Sequence, residues 1–122
     1  PSQTTCPWGK DRLKSGAVLV FITAPNRRES QRLANVLVAE RLAACVNIVG
    51  AIASVYRWQG KIEKAGEHLL LAKTTRTRFP ALRRRVKALH SYSVPEIVAL
   101  PILEGNPAYL SWIETETNGT GQ

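Results

Sequence analysis

The order in which strand and helix patterns alternate is the feature that most constrains the fold of this chain. Residues 17–23 form a continuous apolar, β-branched run, which predicts a strand buried in a sheet. The spacing that follows predicts a helix from Arg27 to about Ala43. Asn26 is placed to cap this helix, and Glu29 completes a capping box. The predicted inward positions of the helix are Leu33, Ala34, Leu37 and Val38.

A second strand pattern, over residues 45–58, is long for a domain of this size. Gly50 marks a predicted bend or β-bulge within it. A hairpin turn follows at Gly60, because glycine readily adopts the positive φ that such turns need. The return strand is predicted through Ile62 and again over residues 68–74. Together these patterns predict a long β-hairpin.

A second helix and a last strand complete the pattern. The helix is predicted to start near Thr77, with Pro80 in its first turn, where the missing N–H has no intrahelical partner to lose. A strand is predicted over residues 96–102 and a short closing helix over residues 106–113. The apolar positions of the second helix are Phe79, Leu82, Val86 and Leu89.

The resulting order, β-α-β-β-α-β, predicts a ferredoxin-like α+β sandwich with a short C-terminal helix. Right-handed crossovers place the first two helices on one face of a four-stranded antiparallel sheet. The other face is then left bare, and an apolar sheet face needs a cover. We predict one domain over residues 17–114, with flexible tails at 1–16 and 115–122.

The bulk composition excludes several classes of protein. The chain has 122 residues, of which 44% are hydrophobic, so it can bury a core and is not a disordered chain. No apolar run approaches the roughly 20 residues of a membrane-spanning helix, so we predict no transmembrane segment. The formal net charge of +8 favours an anionic partner or a solvated basic surface. The absence of a secretory pattern favours the cytoplasm, or an organelle if a targeting segment has been removed.

Enzymatic and nucleic-acid-binding signatures are both missing. The chain lacks the GxSxG, HExxH, P-loop and dinucleotide-binding patterns, so we predict that it is not an enzyme. RNA-recognition domains share the predicted strand order, and the basic helix over residues 76–87 keeps nucleic-acid binding as a rival interpretation. Such domains stack bases on aromatic residues of the third strand, where this chain has Leu69-Leu70-Leu71. We therefore predict no nucleic-acid partner.

Four segments, taken in order, resemble one known family. They are residues 42–48 (LAACVNI), 54–62 (SVYRWQGKI), 90–102 (HSYSVPEIVALPI) and 105–112 (GNPAYLSW). They are similar to the CutA (divalent-cation-tolerance) family, over residues 17–114. The resemblance implies a ferredoxin-like protomer and a homotrimer in which long hairpins pair with neighbouring subunits. It also implies a role in tolerance of divalent cations, copper among them.

The same resemblance indicates where a metal could bind. In bacterial members the proposed copper ligands are a Cys in the first strand and a His-His pair after the second helix. The matching positions here are Ile22 and Leu89-His90, so only His90 is retained. A site for Cu(II) or another divalent cation would need His90 together with its symmetry mates or with Cys45. The alternative is a structural, hydrogen-bonded His90.

Large aromatic side chains define the other candidate site. We expect them to pack at subunit interfaces, where Tyr and Trp are favoured. The alternative is a pocket between subunits that binds a small anionic ligand, by analogy with the trimeric PII sensors. Lys73, Tyr92 and Glu96 would be its polar groups. The aromatic residues concerned are Tyr56, Trp58, Tyr92, Tyr109 and Trp112.

Overall fold

The structure is a computed structural model that describes residues 16–118. In this part of the chain the elements are β1 (Ala17–Ala24), α1 (Arg27–Ala39), β2 (Cys45–Trp58), β3 (Lys61–Thr75), α2 (Phe79–Leu89), β4 (Ile97–Pro101) and α3 (Pro107–Glu116). The four strands form one sheet in the order β2-β3-β1-β4, and every neighbouring pair is antiparallel. This topology confirms the predicted ferredoxin-like α+β fold.

The core lies between the sheet and the helices α1 and α2. Val20 and Ile22 alternate along β1 and are fully buried on this face. Burying a side chain of this size stabilises the fold by about 1.5–3 kcal/mol. The sheet and the two helices are therefore held together mainly by apolar contacts. The helical residues in this cluster are Leu33, Ala34, Leu37, Leu82 and Val86.

Helix α1 is shorter than the sequence predicts. It ends at Ala39, and Arg41 takes a left-handed backbone conformation with φ of 59°. The N–H groups of Leu42 and Ala43 both donate to the carbonyl of Leu37, so the chain reverses there instead of continuing as helix. Val38, predicted to face the core, is 44% exposed.

The N-cap of α1 is only half of the predicted capping box. The Glu29 N–H donates to the Asn26 side-chain oxygen at 2.8 Å, as expected. The Glu29 carboxylate does not reach back to Asn26 and instead accepts a hydrogen bond from the Ser91 N–H, also at 2.8 Å. The helix start is thereby tied to the segment that follows α2.

The hairpin of β2 and β3 is continuous, with no break on the return strand. The register shifts between Val49 and Ile52, which confirms the irregularity predicted at Gly50. Gln59 and Gly60 both have positive φ, as a two-residue hairpin turn of the favoured twist requires. Residues 55–58 and 61–64, at the hairpin tip, are exposed and lie outside the core.

Helix α3 lies on the sheet face opposite α1 and α2, which we call the open face. Ile113 is fully buried against Ala17 and Ala44. Ala17 alternates with Val18, which faces the core, so its side chain belongs to the open face. The predicted bare face is thus covered by α3, but only at the end of the sheet where β1 begins.

The folded domain extends beyond its predicted C-terminal boundary. Helix α3 runs to Glu116. Thr117 is buried, and its hydroxyl group donates a hydrogen bond to the Ile113 carbonyl at 2.8 Å. Residues 115–117 therefore belong to the domain and not to the predicted tail. The other predicted tail residues, 1–15 and 119–122, lie outside the described residues.

We expect Asn26→Ala to lower the free energy of unfolding by about 1 kcal/mol, because the Glu29 N–H loses its cap. Urea denaturation at a fixed protein concentration measures the change. Asn35→Ala is the matched control, since Asn35 is exposed within α1 and a helix interior favours alanine. Equal stability of Asn26→Ala and the wild type would contradict the prediction.

Candidate functional site

A cavity of about 640 Å³ opens between the hairpin and the segment that follows α2; we call it the hairpin cavity. Its polar and aromatic lining comprises Thr23, Ser54, Tyr56, Trp58, Glu67, Tyr92, Ser93 and Glu96. Its volume lies in the range of about 300–1,000 Å³ that is typical of small-molecule sites. Of the predicted site residues, it brings together Tyr56, Trp58, Tyr92 and Glu96.

A hydrogen bond joins Tyr92 and Glu67 in the wall of this cavity. The Tyr92 hydroxyl donates to Oε2 of Glu67 at 2.9 Å. Burial of the ring raises the pKa of Tyr92 to about 12, and the hydrogen bond to Glu67 and its negative charge act in the same direction. Tyr92 is therefore a protonated donor at neutral pH, and the Glu67 carboxylate is held in one position.

His90 lies behind Tyr92, and its side chain is fully buried. Its Nε2 donates to the Thr23 carbonyl at 2.7 Å, because a carbonyl can only accept. Its Nδ1 accepts from the Tyr92 N–H at 3.0 Å. Nδ1 also lies 3.4 Å from Oε2 of Glu29. Both ring nitrogens are therefore occupied by the fold, which supports the structural alternative for His90.

Cys45 lies at the other end of the sheet, with a different set of predicted residues. It is aligned with Lys73 on β3, whose amino group donates to the Asn47 side-chain oxygen. Tyr109 of α3 contacts Cys45; partial burial raises the pKa of Tyr109, and Cys45 adds to the effect. The Trp112 ring lies 5.5 Å from that of Tyr109, centroid to centroid.

These two groups of side chains do not form one site. Cys45 is aligned through Lys73 with Leu19, whereas His90 binds the backbone of Thr23. Four residues along a strand correspond to about 13 Å. His90 and Cys45 therefore do not converge within one protomer, and Lys73 does not join the polar groups of the hairpin cavity. In residues 16–118, no three His, Cys, Asp or Glu side chains are grouped to hold a metal ion.

Sequence reasoning missed the roles of two buried carboxylates. Glu67 could have been found, because it alternates with Leu69 and Leu71 and so shares the open face. Glu29 carries no comparable local signal, since its partner Ser91 is 62 residues away in the chain. Contacts of that kind depend on how the elements pack.

The fold and the cavity define the class of protein: a ferredoxin-like α+β domain with a small-molecule-sized cavity beside an incompletely covered sheet face. Residues 18–116 match the family described as "CutA1 divalent ion tolerance protein", and the chain belongs to this family. No helix within residues 16–118 is long and apolar enough to cross a lipid bilayer.

Individual relatives support the same assignment. The divalent-cation tolerance protein CutA of Thermus thermophilus is 57% identical over 99 residues, which are 81% of this chain and 96% of that protein. A solved structure of the Thermus thermophilus protein gives a TM-score of 0.82 at 55% identity and covers 84% of this chain and 99% of that chain. The chloroplastic CutA 1 of Oryza sativa is 48% identical over 83% of this chain, which spans 57% of that relative's length.

We expect the phenol of Tyr92 to titrate near pH 12, above its ordinary value of 10. Its contribution to stability is fully present below pH 10 and is lost as the pH rises from 10 to 12, because only the unfolded state then releases the proton readily. Phenolate absorbance against pH measures the titration, and Tyr92→Phe should remove the phase near pH 12. In Glu67→Gln this phase should move towards lower pH. An unchanged phase in Tyr92→Phe would contradict the assignment.

Proposed function

We propose that this CutA-family protein acts in divalent-cation tolerance as a homotrimer, without catalysis. The observation that carries the proposal is the open apolar face of the sheet. Three copies is the number that the family resemblance implies. We place the protein in the cytoplasm or, because a rice relative is described as chloroplastic, in an organelle.

The open face presents apolar side chains that no element within residues 16–118 covers fully. Phe21 is flanked across the sheet by Leu71 on β3 and Val98 on β4. Val98 is 49% exposed, and the neighbouring Leu100 is similarly exposed. Helix α3 covers only the opposite end of β1. Apolar surface of this kind is stabilised when another copy of the chain covers it.

The hairpin supports assembly by a second route. Beyond the bulge, Val55 and Ile62 are each more than half exposed, and Trp58 is 47% exposed. Strand β2 is also an edge of the sheet, so one side of its backbone lacks a strand partner among the described residues. Strand addition from a neighbouring copy would satisfy this edge and bury the hairpin tip.

For the metal, we propose Cu(II) or another divalent cation bound through Cys45 at the subunit interface. Cys45 alternates with Val46, which packs against the core, so its side chain belongs to the open face, at the end that α3 partly covers and next to Tyr109. Thiolates are strong ligands for copper and zinc. His90 contributes by holding the fold and not as a ligand, because both of its nitrogens are already hydrogen-bonded.

A second candidate function is the sensing of a small molecule in the hairpin cavity. It is favoured by the volume of about 640 Å³ and by the Tyr92–Glu67 hydrogen bond, which fixes a polar group in the cavity wall. Thr23 and Glu67 belong to the open face. In an assembled protein the cavity would therefore lie beside the subunit interface, which is where the sensor interpretation places its ligand.

We expect the wild type to be a trimer by native mass spectrometry and Val98→Glu to be mainly monomeric, because a charge would be buried at the interface. Val38→Glu is the matched control: Val38 is 44% exposed, but on α1, away from the open face. A monomeric wild type, or a Val98→Glu variant that stays trimeric, would overturn the proposed assembly.

With one equivalent of Cu(II) or Zn(II) per chain, we expect stoichiometric metal in the wild type and none in Cys45→Ala. His90→Gln should keep the metal but unfold at a lower temperature, since it loses hydrogen bonds in the core. A wild-type trimer that stays metal-free would contradict the metal site and leave the sensor as the function. Loss of metal in a folded His90→Gln trimer would show that His90 is a ligand.

A further inference from the structure

We propose that the hairpin cavity binds an organic ammonium cation. This inference deepens the second candidate function, on which it rests, and names the class of ligand. It differs from the anionic ligand that the sequence and the PII analogy predict.

The charge of the cavity is opposite to that of the whole chain. Two carboxylates line it, Glu67 and Glu96, and no Lys, Arg or His is among its lining residues in the described part of the chain. The chain as a whole carries a formal charge of +8. Arg57 lies between Tyr56 and Trp58 in β2 and therefore projects to the other side of the strand. Lys61 is aligned with Trp58 and shares its side of the hairpin, but it is not among the lining residues. The charged groups of the lining are therefore the two carboxylates, which favour a cation over an anion.

The aromatic wall favours an organic cation. Tyr56 and Trp58 are two residues apart in β2, so they share a side of the strand, and both line the cavity. In the protomer each ring is between two fifths and half exposed, so the ring surface that a neighbouring copy at the hairpin tip leaves uncovered is accessible to a ligand. An alkylammonium group over such a ring is attracted by the ring quadrupole, most strongly over Trp.

A bare metal ion fits the same groups less well. One oxygen of Glu67 already accepts the Tyr92 hydroxyl, which keeps its proton at neutral pH. Glu96 is then the only other acidic side chain in the lining, as far as the described residues go. Divalent metals usually require more converging ligands than this. An ammonium ion needs only one or two acceptors and an apolar or aromatic surround.

Isothermal titration calorimetry on the assembled protein tests the inference with choline and its uncharged isostere 3,3-dimethyl-1-butanol. The two probes have nearly the same shape and differ in charge. We expect choline to bind at least about tenfold more tightly than the alcohol, which corresponds to about 1.4 kcal/mol. Inorganic phosphate should not compete with choline.

Substitutions locate the binding. Glu67→Gln keeps an acceptor for Tyr92 but removes the charge, and we expect it to weaken choline binding about tenfold. Glu96→Gln should act in the same direction and is exposed, so it does not endanger folding. Glu114→Gln is the matched control, because it removes the same charge from an exposed position on α3 and should leave choline affinity unchanged.

Several results would overturn the inference. They are equal affinity for choline and the alcohol, no choline binding to a folded protein at millimolar concentration, displacement of choline by phosphate, or wild-type affinity in folded Glu67→Gln and Glu96→Gln. None of these outcomes affects the mass of the trimer or its metal content. Failure of this inference is therefore distinguishable from failure of the proposed assembly and metal response.

Discussion

The alternation of side chains along β1 is the constraint on which the rest of the structure depends. Val20 and Ile22 point into the core beneath α1 and α2, while Leu19 and Phe21 point to the open face. Because β1 lies between β3 and β4, this alternation also sets which residues of both neighbours face each side. A register slip of one residue would exchange the two faces, so core packing and the composition of the open face are specified together.

A chain of hydrogen bonds links the core to the hairpin cavity. His90 bridges the Thr23 carbonyl and the Tyr92 N–H, and Tyr92 in turn holds Glu67. The His90 and Tyr92 rings also pack at 4.8 Å between centroids. A buried network of this kind is stable only when every member has its partner. His90 does not line the cavity, but it holds Tyr92, which does.

The proposed assembly surface, metal site and ligand site fall on different parts of one sheet face. The Cys45 end lies under α3, the apolar middle is exposed, and the hairpin cavity lies at the other end beside Glu67. Many of the exposed basic residues of the chain lie on α1 and α2, with Arg83 and Arg84 of α2 among them. These basic helices lie on the sheet face opposite the proposed ligand site.

Sequence alone determined the order of elements, the long hairpin and the half-covered sheet, because these follow from residue periodicity and from turn residues such as Gly60 and Pro80. Tyr56, Trp58, Tyr92 and Glu96 were among the candidate residues that the sequence indicated, and in the structure they line one cavity. Only the tertiary structure separated Lys73 and Cys45 from them, directed Glu29 to Ser91, and placed α3 on the open face. Those arrangements join residues far apart in the chain, and local patterns do not specify how packed elements align. Register and packing decided them.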